Sequence, residues 1–346
     1  MSYIIAIGLY LVLLMVYGLV IAHKKVKTTD DMMTGGHKIP FIILVGSLLA
    51  TWCGGGGITG SAGVVYSGGP WVGVLTFAAP PIGIILLYFI AGKVRKSNKL
   101  TVPEIMGARY GTAASIISAL CVMLAYVGVL ATQLKAAANI LVLLCHSSGI
   151  EISHGVALAI CTVIIVIITV GGGLVSVAYS DAVSALIMIG GFFLAIPILM
   201  RAASAQGAVL PAEKTTFTGG MSGWTLLGYF LPSLALMLGD QNMLQRFASA
   251  KNSDEAKKSN IGMFIGEIMV IASIVAVATQ AAKLYPTLDT PSNVIFQVAV
   301  DYLPMVFGAL VMCACMAFIV TTADSYLLSS ATNLTNDIYV KYINKN

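Results

Sequence analysis

Charge is scarce in this chain. Charged residues fill 10% of its 346 positions and hydrophobic ones 58%, against roughly a quarter charged in soluble domains, which excludes an ordinary water-soluble fold. Cysteine is sparse and unpatterned. The six (Cys53, Cys121, Cys145, Cys161, Cys313 and Cys315) mostly lie within apolar runs and show no zinc or CxxC spacing. They read as small buried hydrophobes rather than a metal knot or redox pair. No span carries a paired nucleophile and base or a metal-ligand cluster, which argues against an enzyme working within the membrane. The net charge of +5 makes no nucleic-acid patch either, because the positive residues fall in short stretches between apolar spans. What is left, at a mean hydropathy of +0.93, is an all-α polytopic membrane protein.

A bilayer is crossed by about 20 apolar residues. The first such run is Tyr3–Ala22. It lacks the basic leader and small-residue cleavage site of a signal peptide, so it is read as a retained helix. Further runs lie at about 40–66, 71–91, 112–145, 154–171, 178–200, 223–239, 261–282 and 294–330, giving nine crossings. HKKVKTTDD follows the first run and belongs in the cytoplasm by the positive-inside rule. Placed so, fifteen Lys and Arg residues are cytoplasmic, among them Lys24, Lys25, Arg95, Arg246 and Lys345. Only Arg201, Lys214 and Lys283 are outside, and Lys135 lies within a span. The N-terminus is thus expected outside and the C-terminus in the cytoplasm of a cell (inner or plasma) membrane protein.

Glycine is abundant where a membrane helix can least use it. Gly54 to Gly57 are consecutive, inside an apolar span, and more glycines follow as far as Gly69. Each costs a helix about 1 kcal/mol relative to alanine. One reading is an unwound helix, whose freed carbonyls can ligate a small hard cation at membrane depth. The other is a seam of small residues for close helix packing.

Three other places carry polar chemistry. KLTVPEIMGARYG (Lys99–Gly111) is too polar to cross and reads as a cytoplasmic elbow, with Pro103 suited to a helix start. The span after it, about 34 residues, holds Gln133 and Lys135. Lys135 sits roughly 15 Å of helix below the outer end, so it either serves a site within the membrane or snorkels toward the headgroups. In GGGLVSVAYSD (Gly171–Asp181), a short turn opening a helix, Asp181 is either a charge favoured by the helix N-terminus or a group at the cytoplasmic mouth of the bundle.

Four segments in this order resemble the sodium/solute symporter family and span nearly the whole chain: ATWCGGGGITGSAGVVY (Ala50–Tyr66), GGGLVSVAYSD, GDQNMLQRFASAKNSDEA (Gly239–Ala256) and TTADSYLLSSATNLTNDIY (Thr321–Tyr339). The resemblance implies an inverted-repeat bundle of the LeuT type preceded by one extra helix, 3–22. The first repeat is then about 40–200 and a partial second repeat about 223–346, within one transmembrane domain. The run 40–66 matches the discontinuous first core helix, and 223–239, with Pro232, the sixth. The match implies a sodium ion between the first and eighth core helices, on the carbonyls of Ala50, Cys53 and Phe318 and the hydroxyls of Thr321 and Thr322. Five neutral oxygens suit a hard monovalent cation. Read without the family, the paired threonines fit back-bonding to carbonyls of their own helix. Asp324 and Ser325, with Asp181, mark a second cation site, a gate or a packed polar seam, and Gln241 and Arg246 fit structure or gating.

The implied activity is sodium-coupled symport of a small polar organic solute. The alternative is a non-transporting membrane scaffold or sensor on the same core. The motifs stand nearest the choline-transporter branch, where aromatic rings cage a quaternary ammonium. Trp52 and Tyr126 match cage positions and Gly54 and Gly55 lie beside them, but Asp240 replaces a cage tryptophan and Lys135 a glycine. That lysine turns the expected solute toward an anion or zwitterion. The partners are then sodium, a small solute and lipid. With two of the second repeat's five helices unaccounted for by Asn346, further apolar spans are expected in the coding DNA beyond it.

Overall fold

The computed structural model describes residues 2–28, 34–170 and 173–343. Residues 29–31 of the basic flank, Gly171 and Gly172 of the glycine turn, and Lys345 lie outside the described residues. Among those described there are helices and no sheet, the one β-bridge being Ile39 to Ala250.

The elements in chain order are α1 (Ser2–Lys25), α2 (Phe41–Trp52), α3 (Gly56–Gly68), α4 (Pro70–Ser97), α5 (Val102–Tyr110), α6 (Thr112–Ser147) and α7 (His154–Val170). There follow α8 (Gly173–Ala205), α9 (Gly223–Gly239), α10 (Gln241–Ser249), α11 (Ser253–Leu284), α12 (Val294–Asp301) and α13 (Met305–Thr332), which winds on through a π-helical stretch to Ile343. Among the described residues six helices are long and apolar enough to cross a bilayer, namely α1, α4, α6, α8, α11 and α13. The pair α2 and α3, bent by 60° at the break between them, makes a seventh if counted as one span. Two more helices, α7 and α9, run for 17 residues each.

Polar residues outside the apolar runs decide where the helices stop. Thr101 caps α5 by accepting from Glu104 N–H at 3.1 Å, and Glu104 reaches back to Leu100 N–H at 2.8 Å, a reciprocal arrangement that satisfies two orphan donors. Asn252 accepts from Asp254 and Glu255 N–H, which starts α11 eight residues before the apolar run expected at 261. The run expected at 294–330 is two helices, because Pro304, with φ −53° and no N–H, opens α13 and closes off α12. α8 starts at Gly173 rather than 178.

The bundle is polar inside and oily outside. Leu124, Val170 and Leu186 are about three-quarters exposed (74%, 75% and 74%), while Asp181, Asp240, Arg246, Glu267 and Asp324 are all buried. That is the order a lipid solvent imposes. The extra helix α1 packs on α8 and α13, with Tyr10 Oη 3.2 Å from Ser184 Oγ.

Two differences from expectation bear on the site. The segment read as a cytoplasmic loop, 239–256, contains α10, every residue of which is buried, so Arg246 is an internal charge. Nor does the chain break at Pro232. α9 runs straight through it, and the interruption falls at Asp240, between α9 and α10.

Candidate functional site

The unwound reading of the glycine run is what the backbone adopts. α2 ends at Trp52, and Cys53, at φ −80° and ψ 50°, leaves the helix. Gly54 N–H, which would bond the Ala50 carbonyl in a continuous helix, turns to the Trp52 carbonyl at 2.9 Å. Gly55 N–H, which would bond Thr51, is taken by Gln133 Oε1 of α6 at 2.6 Å. The freed Ala50 carbonyl accepts from Thr322 Oγ1 of α13 at 2.9 Å. A Cβ at Gly54 would lie 2.7 Å from Gln133 Oε1 and 2.8 Å from Thr322 Oγ1, so the close approach of three helices requires glycine there.

Of the five residues expected to hold sodium, Ala50 and Thr322 thus meet across the gap. Thr321 bonds within its own helix, to the Phe318 carbonyl at 3.4 Å. That is the packing alternative for this residue, and it ties Thr321, the neighbour of Thr322, to the carbonyl of Phe318 about one turn earlier. Cys53 directs its thiol away, to Glu267 Oε2 of α11 at 3.1 Å. The donors at the junction are uncharged oxygens, which fits a hard monovalent ion.

Beside the junction is a cavity of about 380 Å³. Trp52, Phe77, Gln133, Tyr229, Glu267 and Tyr326 line it together with Gly54 and Thr322. The expected solute residues divide. Trp52 and Gly54 are in the wall, and Gly55 lies next to it, its N–H held by Gln133. Tyr126 and Asp240 are not in the wall but beneath it. Tyr126 Oη donates to Asp240 Oδ1 at 2.6 Å, and Tyr326 Oη to Oδ2 at 2.6 Å. The two rings meet edge to face at 4.5 Å. The same carboxylate accepts from Asn242 N–H at 2.8 Å and so caps α10.

Lys135 is a correction. It is exposed on the outer face of α6 and absent from the cavity wall. Gln133 faces inward, and two residues along a helix turn a side chain by about 200°. Gln133 and Glu267 are among the polar residues that do line the cavity, and of the two the sequence marks Gln133 only as a polar residue within a span.

Below Tyr326 lies a second polar knot. Arg246 of α10 donates to Ser47 Oγ at 2.7 Å, Asp181 Oδ2 at 3.1 Å and Ser325 Oγ at 2.7 Å, and Ser47 also donates to Asp181 at 2.6 Å. Ser325 is 3.2 Å from Thr51 Oγ1. Asp181 is eight residues inside α8, so the helix N-terminus does not account for it. Asp324 is on another face of α13 and takes a hydrogen bond from Thr169. Arg246 thus joins Asp181 and Ser325, while Asp324 is held separately by Thr169 of α7.

An interrupted helix with a cation-compatible junction beside a cavity is the build of a secondary transporter core, and the fold is shared with one. A solved structure described as a substrate-bound, outward-open Na+-coupled sialic acid symporter superposes with a TM-score of 0.80 at 18% identity, covering 99% of this chain and 74% of that one. The sequence model of the sodium:solute symporter family matches residues 32–346, and the chain belongs to that family. It is 24% identical to the high-affinity choline transporter 1 of Drosophila melanogaster over 97% of its own length and 56% of the relative's. It is 23% identical to the sodium/sialic acid symporter NanT of Aliivibrio fischeri, over 99% and 70%. The chain thus spans a little over half the length of the fly choline transporter.

Proposed function

We propose that this chain carries the ion and solute sites of a sodium-coupled symporter that moves a small polar organic solute across the cell membrane. The observation that carries the proposal is the junction at the helix break. There a carbonyl released by α2, that of Ala50, meets the Thr322 hydroxyl of α13 at the edge of the 380 Å³ cavity. Sodium would take Ala50, Cys53 and Phe318 by carbonyl and Thr321 and Thr322 by hydroxyl. In moving to an ion, Thr322 gives up one hydrogen bond and Thr321 a long one. A bound ion supplies the attraction that draws α2 and α13 together at that point.

The finer architecture is part of the proposal. We read α7 and α9 as crossings beside the six long helices and the α2–α3 pair. That gives nine, with the N-terminus outside, in an inverted-repeat bundle of the LeuT type. α2–α3 and α9–α10 are then the two discontinuous helices at matching places in the repeats. Asp181, Arg246 and Ser325 serve as a cytoplasmic closure beneath the sodium position, and Asp324 is a structural contact of α7.

The test is uptake by the purified chain in proteoliposomes. An inward sodium gradient should drive accumulation of at least one of labelled choline, sialic acid or pantothenate, and potassium should not replace it. If no sodium gradient drives any uptake and sodium causes no saturable change in tryptophan fluorescence, the reading fails in favour of a scaffold or sensor on this core.

A further inference from the structure

One acidic side chain stands in the cavity wall among the described residues. Glu267 of α11 forms part of the wall and is 3% exposed. Its hydrogen-bonding neighbours are uncharged, the Cys53 thiol at 3.1 Å and the side chain of Trp52. Among the described residues no Lys, Arg or His lines the cavity. Lys135, the one intramembrane lysine, is exposed on the far face of α6, and Arg246 is spent on Asp181, Ser47 and Ser325. A carboxylate taken out of water without a cation is costly, and a cationic guest repays that cost.

Resting on the reading of this cavity as the solute site, we infer that Glu267 selects an organic ammonium cation, a protonated amine or quaternary ammonium. The rest of the wall fits that guest. Trp52, Phe77, Tyr229 and Tyr326 are in the wall, and aromatic rings attract cations through their faces. The volume suits a small ligand, since such sites measure about 300–1,000 Å³. The Glu267 oxygens can accept N–H donors from a protonated amine, or pair by charge alone with a quaternary nitrogen. An acidic solute would instead face the Glu267 carboxyl in a wall where the described residues offer no basic partner. The sodium oxygens and Glu267 are then distinct: Ala50 and Thr322 take the ion at the α2–α13 seam, and Glu267 takes the guest from α11.

Equilibrium binding to the purified chain in sodium decides the matter, with labelled choline and ethanolamine as probes. The neutral choline isostere 3,3-dimethylbutan-1-ol, sialic acid and pantothenate serve as competitors. At least one ammonium probe should bind, the neutral isostere should compete at least about tenfold more weakly than choline, and the two acids should not compete. Glu267→Gln should weaken ammonium binding about tenfold or more and leave the sodium-induced thermal shift in place, and Glu267→Asp should weaken it less. Should the Gln variant not fold, the competition pattern of the native chain stands as the test by itself.

Failure of both ammonium probes to bind overturns the inference, as does displacement by either acid, or unchanged affinity in a folded Glu267→Gln protein. A Gln variant that changes only the half-saturating sodium concentration also overturns it, making Glu267 an ion ligand. Glu267-dependent ammonium binding that ignores sodium would sink the symport reading and leave this one standing. Sodium-driven uptake of an acid alone would do the reverse.

Discussion

Two interruptions of the chain, at Cys53–Gly54 and at Asp240, are repaired in opposite ways. At the first, neutral groups from neighbouring helices take the orphaned backbone: Gln133 receives Gly55 N–H and Thr322 donates to the Ala50 carbonyl. At the second, a carboxylate belonging to the break itself caps α10 and holds the phenols of Tyr126 and Tyr326. Neutral donors can be exchanged for an ion at small electrostatic cost. A buried carboxylate bonded on both oxygens is costly to disturb. The first break is therefore suited to opening around a ligand, and the second to holding the floor beneath it.

Arg246 joins the two breaks, since it sits on α10 and bonds Ser47 of α2. Removing it tests the comparison hardest. Arg246→Ala leaves Asp181 buried without its partner, and the expected loss is about 3–5 kcal/mol, read as a fall in thermal stability in detergent. Asp181→Asn combined with Arg246→Met should recover much of that loss. If the double variant is no better than the single one, the pair does not act as a unit.

At the first break, Gln133→Leu strands the Gly55 N–H and should cost about 1–3 kcal/mol of stability. Gln133→Glu keeps the acceptor and should cost less. Equal stability of the Leu variant and the native protein would show that this N–H finds another partner.

Thr322→Val removes the hydroxyl at the junction and keeps the bulk. Half-saturating sodium should rise about five- to 150-fold, corresponding to roughly 1–3 kcal/mol. Thr321→Val should fall at the low end of that range, because its hydroxyl already has a weak bond within α13. Unchanged sodium dependence in both variants would place the ion elsewhere.

The smallest effect is expected at Lys135. As an exposed residue away from the cavity, its change to Met should alter stability by less than about 0.5 kcal/mol and leave uptake kinetics as they were. A shift in solute affinity would mean that α6 turns this face inward in another state.

The apolar runs and the glycine cluster made most of the helices and the first break readable, because lipid exposure and glycine's helix penalty act locally. α10 was not readable. QNMLQRFAS is polar enough to pass for a loop, and it is buried only because partners from α2, α8 and α13 satisfy it. The direction of Lys135 was hidden for a related reason. A lysine in an apolar stretch has the same neighbours in sequence whichever way it points, and only the packed position of Gln133 fixes the helix rotation. Tyr126 shows the limit again: it is two turns before Gln133 on the same face, but its partner Asp240 lies 114 residues away.

α6 is 36 residues long, about 54 Å at 1.5 Å per residue, so its ends project beyond a hydrocarbon layer of about 30 Å. Tyr126 and Gln133 straddle its midpoint, each about 5 Å from it along the axis. Tilting the rod by about 10° around that fulcrum would sweep either tip through about 5 Å while the two tethered side chains travel only about 1 Å. The two tethers thus sit near the middle of the rod, where a change of tilt displaces them least.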